Sequence, residues 1–302
     1  MWPFSKNKSD QLPAPTVLIT GCGFKPIEHI FKYKGKPTYN GIMIDGKEHK
    51  MNIGTAVAYY LAEKEIKVIL VSHNVENLEK IKKGLIELGC KENFLAIIFA
   101  DLLSDKGVDD LIQKLPQDET IYWVQSLGMG GGTYKVPNDN IYLPFEQIEP
   151  DLVKHEMDIV TATHRMMLKL IPIFRKQIKS GKKTKVSIIT SMSGERGYHF
   201  GATHVAAKHA LVGYIKGIEK ELEDENIEIR DIRPGCIDTG MYDNPYVIKA
   251  VQEITKRSKM YPEINNEDFI PAPPMKVAEA VYDSLFSKNP QKVYRILGPH
   301  QR

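Results

Sequence analysis

The chain has 302 residues, 42% hydrophobic and 26% charged, which is long enough to bury a sizeable core and ordinary for a soluble globular protein. Its 41 basic and 38 acidic residues leave a formal charge of +3, so no global field directs it to nucleic acid or to anionic lipid. No apolar run reaches bilayer-spanning length, and Cys22, Cys90 and Cys236 are far apart, odd in number and without CxxC spacing, as expected of free thiols in a reducing compartment.

Residues 1–15 are polar and punctuated by prolines, and read as a flexible arm ahead of a single domain over 16–302. They lack an apolar core followed by a small-residue cleavage site, so no secretory signal is read and a cytoplasmic location is expected. The β-branched run 16–20 is a first strand, ending at Gly21-Cys22-Gly23. Residues 24–51 then interrupt the rhythm with a polar, Lys- and Gly-rich insertion where a βα turn of about 2–6 residues belongs; loops of such length are usually functional or disordered. Asn52-Ile53-Gly54 opens a helix over 53–65. Strands follow at 67–71, 94–100 and 120–124, with helices at 75–88 and 108–115 between them. A long amphipathic helix over 148–180, a strand at 185–190, a helix over 203–223 and a strand at 227–232 continue the alternation. Helical pattern resumes at 244–257 and 276–287, and 293–297 makes a last strand. Strands alternating with helices predict an α/β fold: a doubly wound parallel sheet with helices on both faces.

A strand entering a glycine turn and then a helix is the arrangement that binds a dinucleotide, because glycines admit backbone to the pyrophosphate and the helix N-terminus stabilises its charge. Gly21 and Gly23 supply the turn and Asn52, Ile53 and Gly54 open the helix. Alone, a GxG is a weak signal. Downstream stand Ile188-Ile-Thr-Ser191-Met-Ser-Gly194, then His204-Val-Ala-Ala-Lys208, then Arg233-Pro-Gly-Cys-Ile-Asp-Thr239, with Asp101-Leu102 and Gly128 in register after the third and fourth strands. In combination these resemble the short-chain dehydrogenase/reductase family, over about residues 16–280 and with a Rossmann-type sheet.

The resemblance implies that Gly21, Gly23 and Gly54 line the pyrophosphate and that Asp101 accepts from the adenine amino group. It implies that Lys208 bonds the nicotinamide ribose, that Pro234, Gly235, Ile237 and Thr239 flank the carboxamide, and that Ser191 holds the substrate oxygen. His204 occupies the place of the family's catalytic tyrosine. Gln125-Ser126-Leu127-Gly128 replaces the usual Asn-Asn-Ala-Gly, and Ile159, Val160 and Thr161 stand near the expected helix asparagine. His204 and Lys208, four apart, share a helix face; the ammonium favours a neutral imidazole, ready to accept a proton in alcohol oxidation. Tyr198, on the loop between Ser191 and the helix, is a second candidate proton donor and a substrate contact.

The second strand ends at Ser72-His73-Asn74 without the carboxylate that would repel a 2′-phosphate, which favours NADP(H) over NAD(H), with a lysine of the insertion as a further phosphate partner. Residues 240–274, with Met241 and Tyr242, form an expected substrate lid. Histidines 155, 164, 199 and 209 have no metal-ligand spacing with cysteine, so no metal is expected. The expected partner is a small carbonyl or alcohol substrate, and in proteins resembling this one the long helix pairs with a second copy, implying a homodimer or homotetramer. Two alternatives stay open: reduction of a carbon–carbon double bond on the same scaffold, and a nucleotide-binding regulatory protein without catalysis.

Overall fold

The computed structural model describes residues 14–128, 142–257 and 270–299; the expected arm over 1–13 and the lid residues 258–269 lie outside them. β1 (Thr16–Thr20) leads into the insertion, which contains β2 (Phe24–Pro26), β3 (Lys32–Tyr33), β4 (Lys36–Pro37), β5 (Gly41–Ile44) and β6 (Lys47–Met51). The alternation then runs α1 (Ile53–Glu63), β7 (Val68–Ser72), α2 (Val75–Glu87), β8 (Leu95–Phe99), α3 (Asp105–Lys114) and β9 (Ile121–Gln125). It continues through α4 (Pro150–Lys179), β10 (Thr184–Ile189), α5 (Ala202–Glu221), β11 (Ile227–Pro234), α6 (Pro245–Arg257), α7 (Pro274–Phe286) and β12 (Val293–Ile296).

Seven strands make one parallel sheet in the order β12-β11-β10-β9-β1-β7-β8. Such a sheet is covered on both faces, which is why its strands read as nearly continuous apolar runs. Successive side chains of β1 point to opposite faces: Val17 and Ile19 join a core with α1, α2 and α7, whereas Leu18 joins one with α3, α4 and α5. From β1 the chain builds outward to β7 and β8, then returns to the other side of β1 with β9. That reversal opens a crevice at the carboxyl ends of β1 and β9, where ligands of open α/β sheets bind.

The insertion, expected as a functional or disordered loop, is folded. β2, β6 and β5 form an antiparallel sheet, and β3 pairs with β4. Asp45-Gly46 and Lys34-Gly35 turn the two hairpins with positive φ at both positions, the two-residue turn that suits strand twist. Ile42 and Ile44 alternate inward with Met51 and complete the core beside α1 and α2. β5 crosses α2 at Gly84, where a Cβ would stand 2.6 Å from the Met43 carbonyl oxygen. In an open helix Gly→Ala gains about 1 kcal/mol. Here overpacking, typically about 1–3 kcal/mol, opposes it. Gly84→Ala is therefore expected to lower stability in urea melts by about 1 kcal/mol rather than raise it.

Candidate functional site

Despite the insertion, the glycine turn closes. Gly21 has φ +93° and its amide donates to the Val71 carbonyl at 3.0 Å; a Cβ there would collide with the Ser126 carbonyl oxygen. The Asn52 side chain caps α1, accepting from the Thr55 amide at 2.9 Å, while its own amide group donates to the Gly21 carbonyl at 2.8 Å. Thr55 Oγ1 accepts from the Gly23 amide at 3.0 Å and donates to the Gly23 carbonyl at 2.7 Å. Gly54 lets the helix approach, since a Cβ would lie 2.7 Å from the Gly21 carbonyl oxygen. Ile53 begins the helix, and no acidic residue stands in its first turn to compete with an anion.

The other expected residues follow strands of the same parallel sheet and so share its carboxyl edge. After β7, His73 is exposed and Asn74 caps α2 through the Asn77 amide at 2.9 Å. After β8, Asp101 is exposed and accepts from the Leu103 amide at 3.0 Å, while Leu102 is buried. After β9, Gly128 is exposed with open space where a Cβ would stand. β11 ends at Pro234; the Gly235 amide donates to the Ile296 carbonyl at 2.7 Å, and Ile237 is buried and bridged to Ala272. The Thr239 amide donates back to the Ile237 carbonyl at 2.9 Å. The insertion's Lys50 is not available to a phosphate: its ammonium is fully buried in an ion pair with Asp238.

Ser191 follows β10 and caps a 3₁₀ turn, its Oγ accepting from the Ser193 amide at 3.0 Å and donating toward the Pro234 carbonyl at 3.4 Å. Ser191 Oγ also donates to Ser193 Oγ at 3.0 Å, and Ser193 Oγ donates to the Tyr198 hydroxyl at 3.4 Å. Gly194 lets this turn rest on α5, because a Cβ would meet the Lys208 carbonyl oxygen at 2.9 Å. The turn bearing Ser191 and the helix bearing His204 and Lys208 thus lie together. Met241 packs at the edge of a third apolar cluster and Tyr242 is buried inside it, with Phe31, Tyr142, Leu152 and the α6 residues Val247, Val251 and Ile254.

One residue of the site was missed. Glu156 of α4 is 2% exposed and presents Oε2 to His204 Nδ1 at 3.4 Å; its Oε1 has no hydrogen-bond partner among the described residues. The imidazole therefore has a buried carboxylate near Nδ1 in addition to a lysine four residues along its own helix. The available signal was position: Glu156 falls on the buried line of α4 with Leu152 and Ile159, where a charge is out of place. Lys208 is buried too, and among the described residues it makes no ion pair. Burial pushes its ammonium down to about 8, against the pull of Glu156 and Asp231.

With this geometry in place, the sequence profile described as short chain dehydrogenase matches residues 49–246. The chain belongs to that family. It is an oxidoreductase of the short-chain dehydrogenase type. It is 26% identical to an NADP-dependent 3-hydroxy acid dehydrogenase of Schizosaccharomyces pombe, over 62% of this chain and 68% of that one. It is 25% identical to a 3-oxoacyl-(acyl-carrier-protein) reductase of Aggregatibacter actinomycetemcomitans, over 72% of this chain and 85% of the relative. In fold it superimposes with TM-score 0.67 on an NADPH-bound short chain oxidoreductase of Pseudomonas aeruginosa PAO1 containing an atypical catalytic center, at 12% identity over 95% of this chain and 97% of that one. Among the described residues no helix is long and apolar enough to cross a membrane.

The buried Lys208 sets a stability dependence. Its folded value of about 8 lies below the ordinary 10.5, so between these the unfolded chain binds the extra proton and stability rises with pH. Lys208→Met should abolish that rise, on the order of 3 kcal/mol in the wild type, in urea melts recorded from pH 7.5 to 10.5.

Proposed function

We propose that the protein is an NADP(H)-dependent oxidoreductase that interconverts a carbonyl and an alcohol, with His204 as its proton-transfer residue. The observation that carries this is that α5, beside the Ser191 turn, bears His204 with the buried Glu156 carboxylate 3.4 Å from its Nδ1 and, one turn on, the buried Lys208, which makes no ion pair among the described residues. The glycine turn fits a dinucleotide: Gly21 and Gly54 let the end of β1 and the start of α1 pack against backbone that a methyl would strike, and α1 opens at that turn with no acidic residue in its first turn. Gly21, Gly23, Asn52, Ile53 and Gly54 would hold the pyrophosphate, Asp101, Leu102 and Gly128 the adenosine side, and Lys208 the nicotinamide ribose. Pro234, Gly235, Ile237 and Thr239 would flank the carboxamide. Exposed His73, with Asn74 and no carboxylate at that strand end, supports a 2′-phosphate and hence NADP(H).

The bound dinucleotide supplies or accepts the hydride. Ser191 Oγ donates a hydrogen bond to the substrate oxygen, turning its one proton away from Ser193 Oγ at 3.0 Å and the Pro234 carbonyl at 3.4 Å. In reduction His204 Nε2 gives that oxygen its proton, and Glu156 at Nδ1 offsets the charge the ring carries beforehand. In oxidation the same nitrogen takes the proton back. Tyr198 and Met241 face the substrate side in this reading, with Tyr242 supporting them from the buried cluster. Exposed Leu168 on α4 supports pairing of that helix with a second copy, as a homodimer or homotetramer.

The test is titration with NADPH and NADH, then turnover on a panel of 3-hydroxy acids, 3-oxoacyl thioesters and hydroxysteroids, the classes named for its relatives. NADPH should bind at least tenfold tighter than NADH, and a member of the panel should turn over. Binding without any oxidation or reduction of the panel or of an enoyl thioester would replace this reading with a regulatory one. His204→Ala should lower kcat by about 10²–10⁴-fold with NADPH affinity retained, as expected for loss of a general acid–base. A second donor is favoured by the Tyr198–Ser193–Ser191 hydrogen-bond chain; if Tyr198→Phe is the inactive variant and His204→Ala is not, the phenol is the donor.

Glu156→Gln gives a separate prediction. The amide keeps a polar group at Nδ1 and removes the charge, so the imidazolium loses its counter-charge. Reduction should therefore slow in kcat with NADPH affinity unchanged; a kcat equal to that of the wild type would remove Glu156 from the proton path.

A further inference from the structure

The insertion is joined to the segment after β11 by charges taken wholly out of water. Lys50, at the end of β6, has a side chain 0% exposed, and its Nζ lies 2.7 Å from Asp238 Oδ1 and 2.6 Å from Asp243 Oδ1. Asp238 Oδ2 accepts from Thr38 Oγ1 at 2.7 Å, and Asp243 Oδ2 accepts from the amides of Glu28 and His29 at 3.0 and 3.1 Å. All four carboxylate oxygens are therefore partnered, three of the donors besides Lys50 coming from the insertion itself. The rings of Phe31 and Tyr39 stand over the ammonium at 5.4 and 5.5 Å. Around the triad the same two segments touch again. Gly240, φ +84°, leaves room for Lys25, and the Met275 amide donates to Asn40 Oδ1 at 3.1 Å. Phe31 enters the cluster that holds Tyr242 and α6.

Well-packed apolar side chains could hold two segments together equally well, because desolvation of buried ions offsets much of their attraction. What an ion triad adds is direction. Two carboxylates five residues apart are fixed to one ammonium at hydrogen-bond distance, so the backbone from Asp238 to Asp243 cannot slide or tilt against the insertion. Thr239, Met241 and Tyr242 lie between those two anchors, and Ile237 lies just before them.

We propose that Lys50 is a positioning residue for the reaction: through Asp238 and Asp243 the folded insertion sets the approach of residues 237–243 to the nicotinamide, so that this wall of the site is braced before any ligand arrives. The proposal rests on the reading that Ile237 and Thr239 flank the carboxamide.

Three proteins test it: the wild type, Lys50→Met, and the triple variant K50M/D238N/D243N. The single variant leaves two buried carboxylates without their cation and should melt well below the wild type. The triple variant removes the stranded charges and should regain most of that loss, which separates stability from positioning. In both variants amide exchange over 236–243 of the cofactor-free protein should quicken at least tenfold, with β1 and β10 unchanged. In both, the Kd for NADPH should rise at least tenfold. A triple variant that binds NADPH within twofold of the wild type, or wild-type exchange over 236–243 in either variant, would overturn the proposal and leave Lys50 a purely structural residue. If the wild type itself fails to bind NADPH, the cofactor reading falls instead, and the exchange measurement alone decides whether the brace exists.

Discussion

The antiparallel pairing of Phe24–Pro26 with Lys47–Met51 lets the chain leave the nucleotide turn and re-enter it at the same place. Phe24 lies opposite Met51, so the residues on either side, Gly23 and Asn52, are held in hydrogen-bond contact across 28 intervening residues of the insertion, 24–51. Without that zipper the N-terminus of α1 would have no fixed relation to the end of β1, and neither the Asn52 bridge to Gly21 nor the Thr55 bridge to Gly23 would form. The loop-closure cost of such an insertion grows only slowly with its length. Here the two hairpins and the inward Ile42, Ile44 and Met51 give it a core contribution of its own.

Two buried lysines show opposite uses of the same group. Lys50 is surrounded: two carboxylates at hydrogen-bond distance and two rings complete its shell, and the result is rigidity. Lys208 sits just as deep without an ion pair among the described residues, so desolvation dominates and its proton is loosely held. On the proposed reading, a ligand that brought hydroxyl groups to this ammonium would stabilise it. One lysine is thus enclosed by counter-charges, and the other makes no ion pair among the described residues.

The sheet was legible because its strands are buried on both faces and its helices carry apolar stripes; 227–232 against Ile227–Pro234 is typical of the agreement. Helix starts were less so: α3 begins at Asp105 because Ser104 caps it through the Gly107 amide, whereas the apolar pattern starts only at Val108. The insertion misled by composition. Its lysines drew attention away from the Asp45-Gly46 turn and the Ile42/Ile44 alternation, which together spell a hairpin. Gly84, a glycine inside a helical pattern, was the trace of that hairpin crossing α2. Lys50 had no local trace at all, since its partners lie 188 and 193 residues further on. Ser191, His204 and Lys208 were singled out by their spacing, but Glu156 approaches His204 from another helix, and only its intrusion on an apolar stripe marked it.

On the proposed reading that His204 stands in for the family's catalytic tyrosine, the exchange becomes intelligible once charges are counted before and after a proton is given up. A neutral phenol beside an ammonium carries one positive charge, and donation leaves none. An imidazolium beside the same ammonium would carry two and fall to one, with two cations a helical turn apart in a largely buried site, which is costly in a low dielectric. Adding one ionised carboxylate restores the original count, one positive charge before donation and none after. Glu156, buried and facing Nδ1, is placed to supply that charge. On that reading the imidazole at 204 and the carboxylate at 156 would together replace the phenol. Either one alone would leave the site with a different charge from that for which the ammonium at 208 and the surrounding fold are arranged.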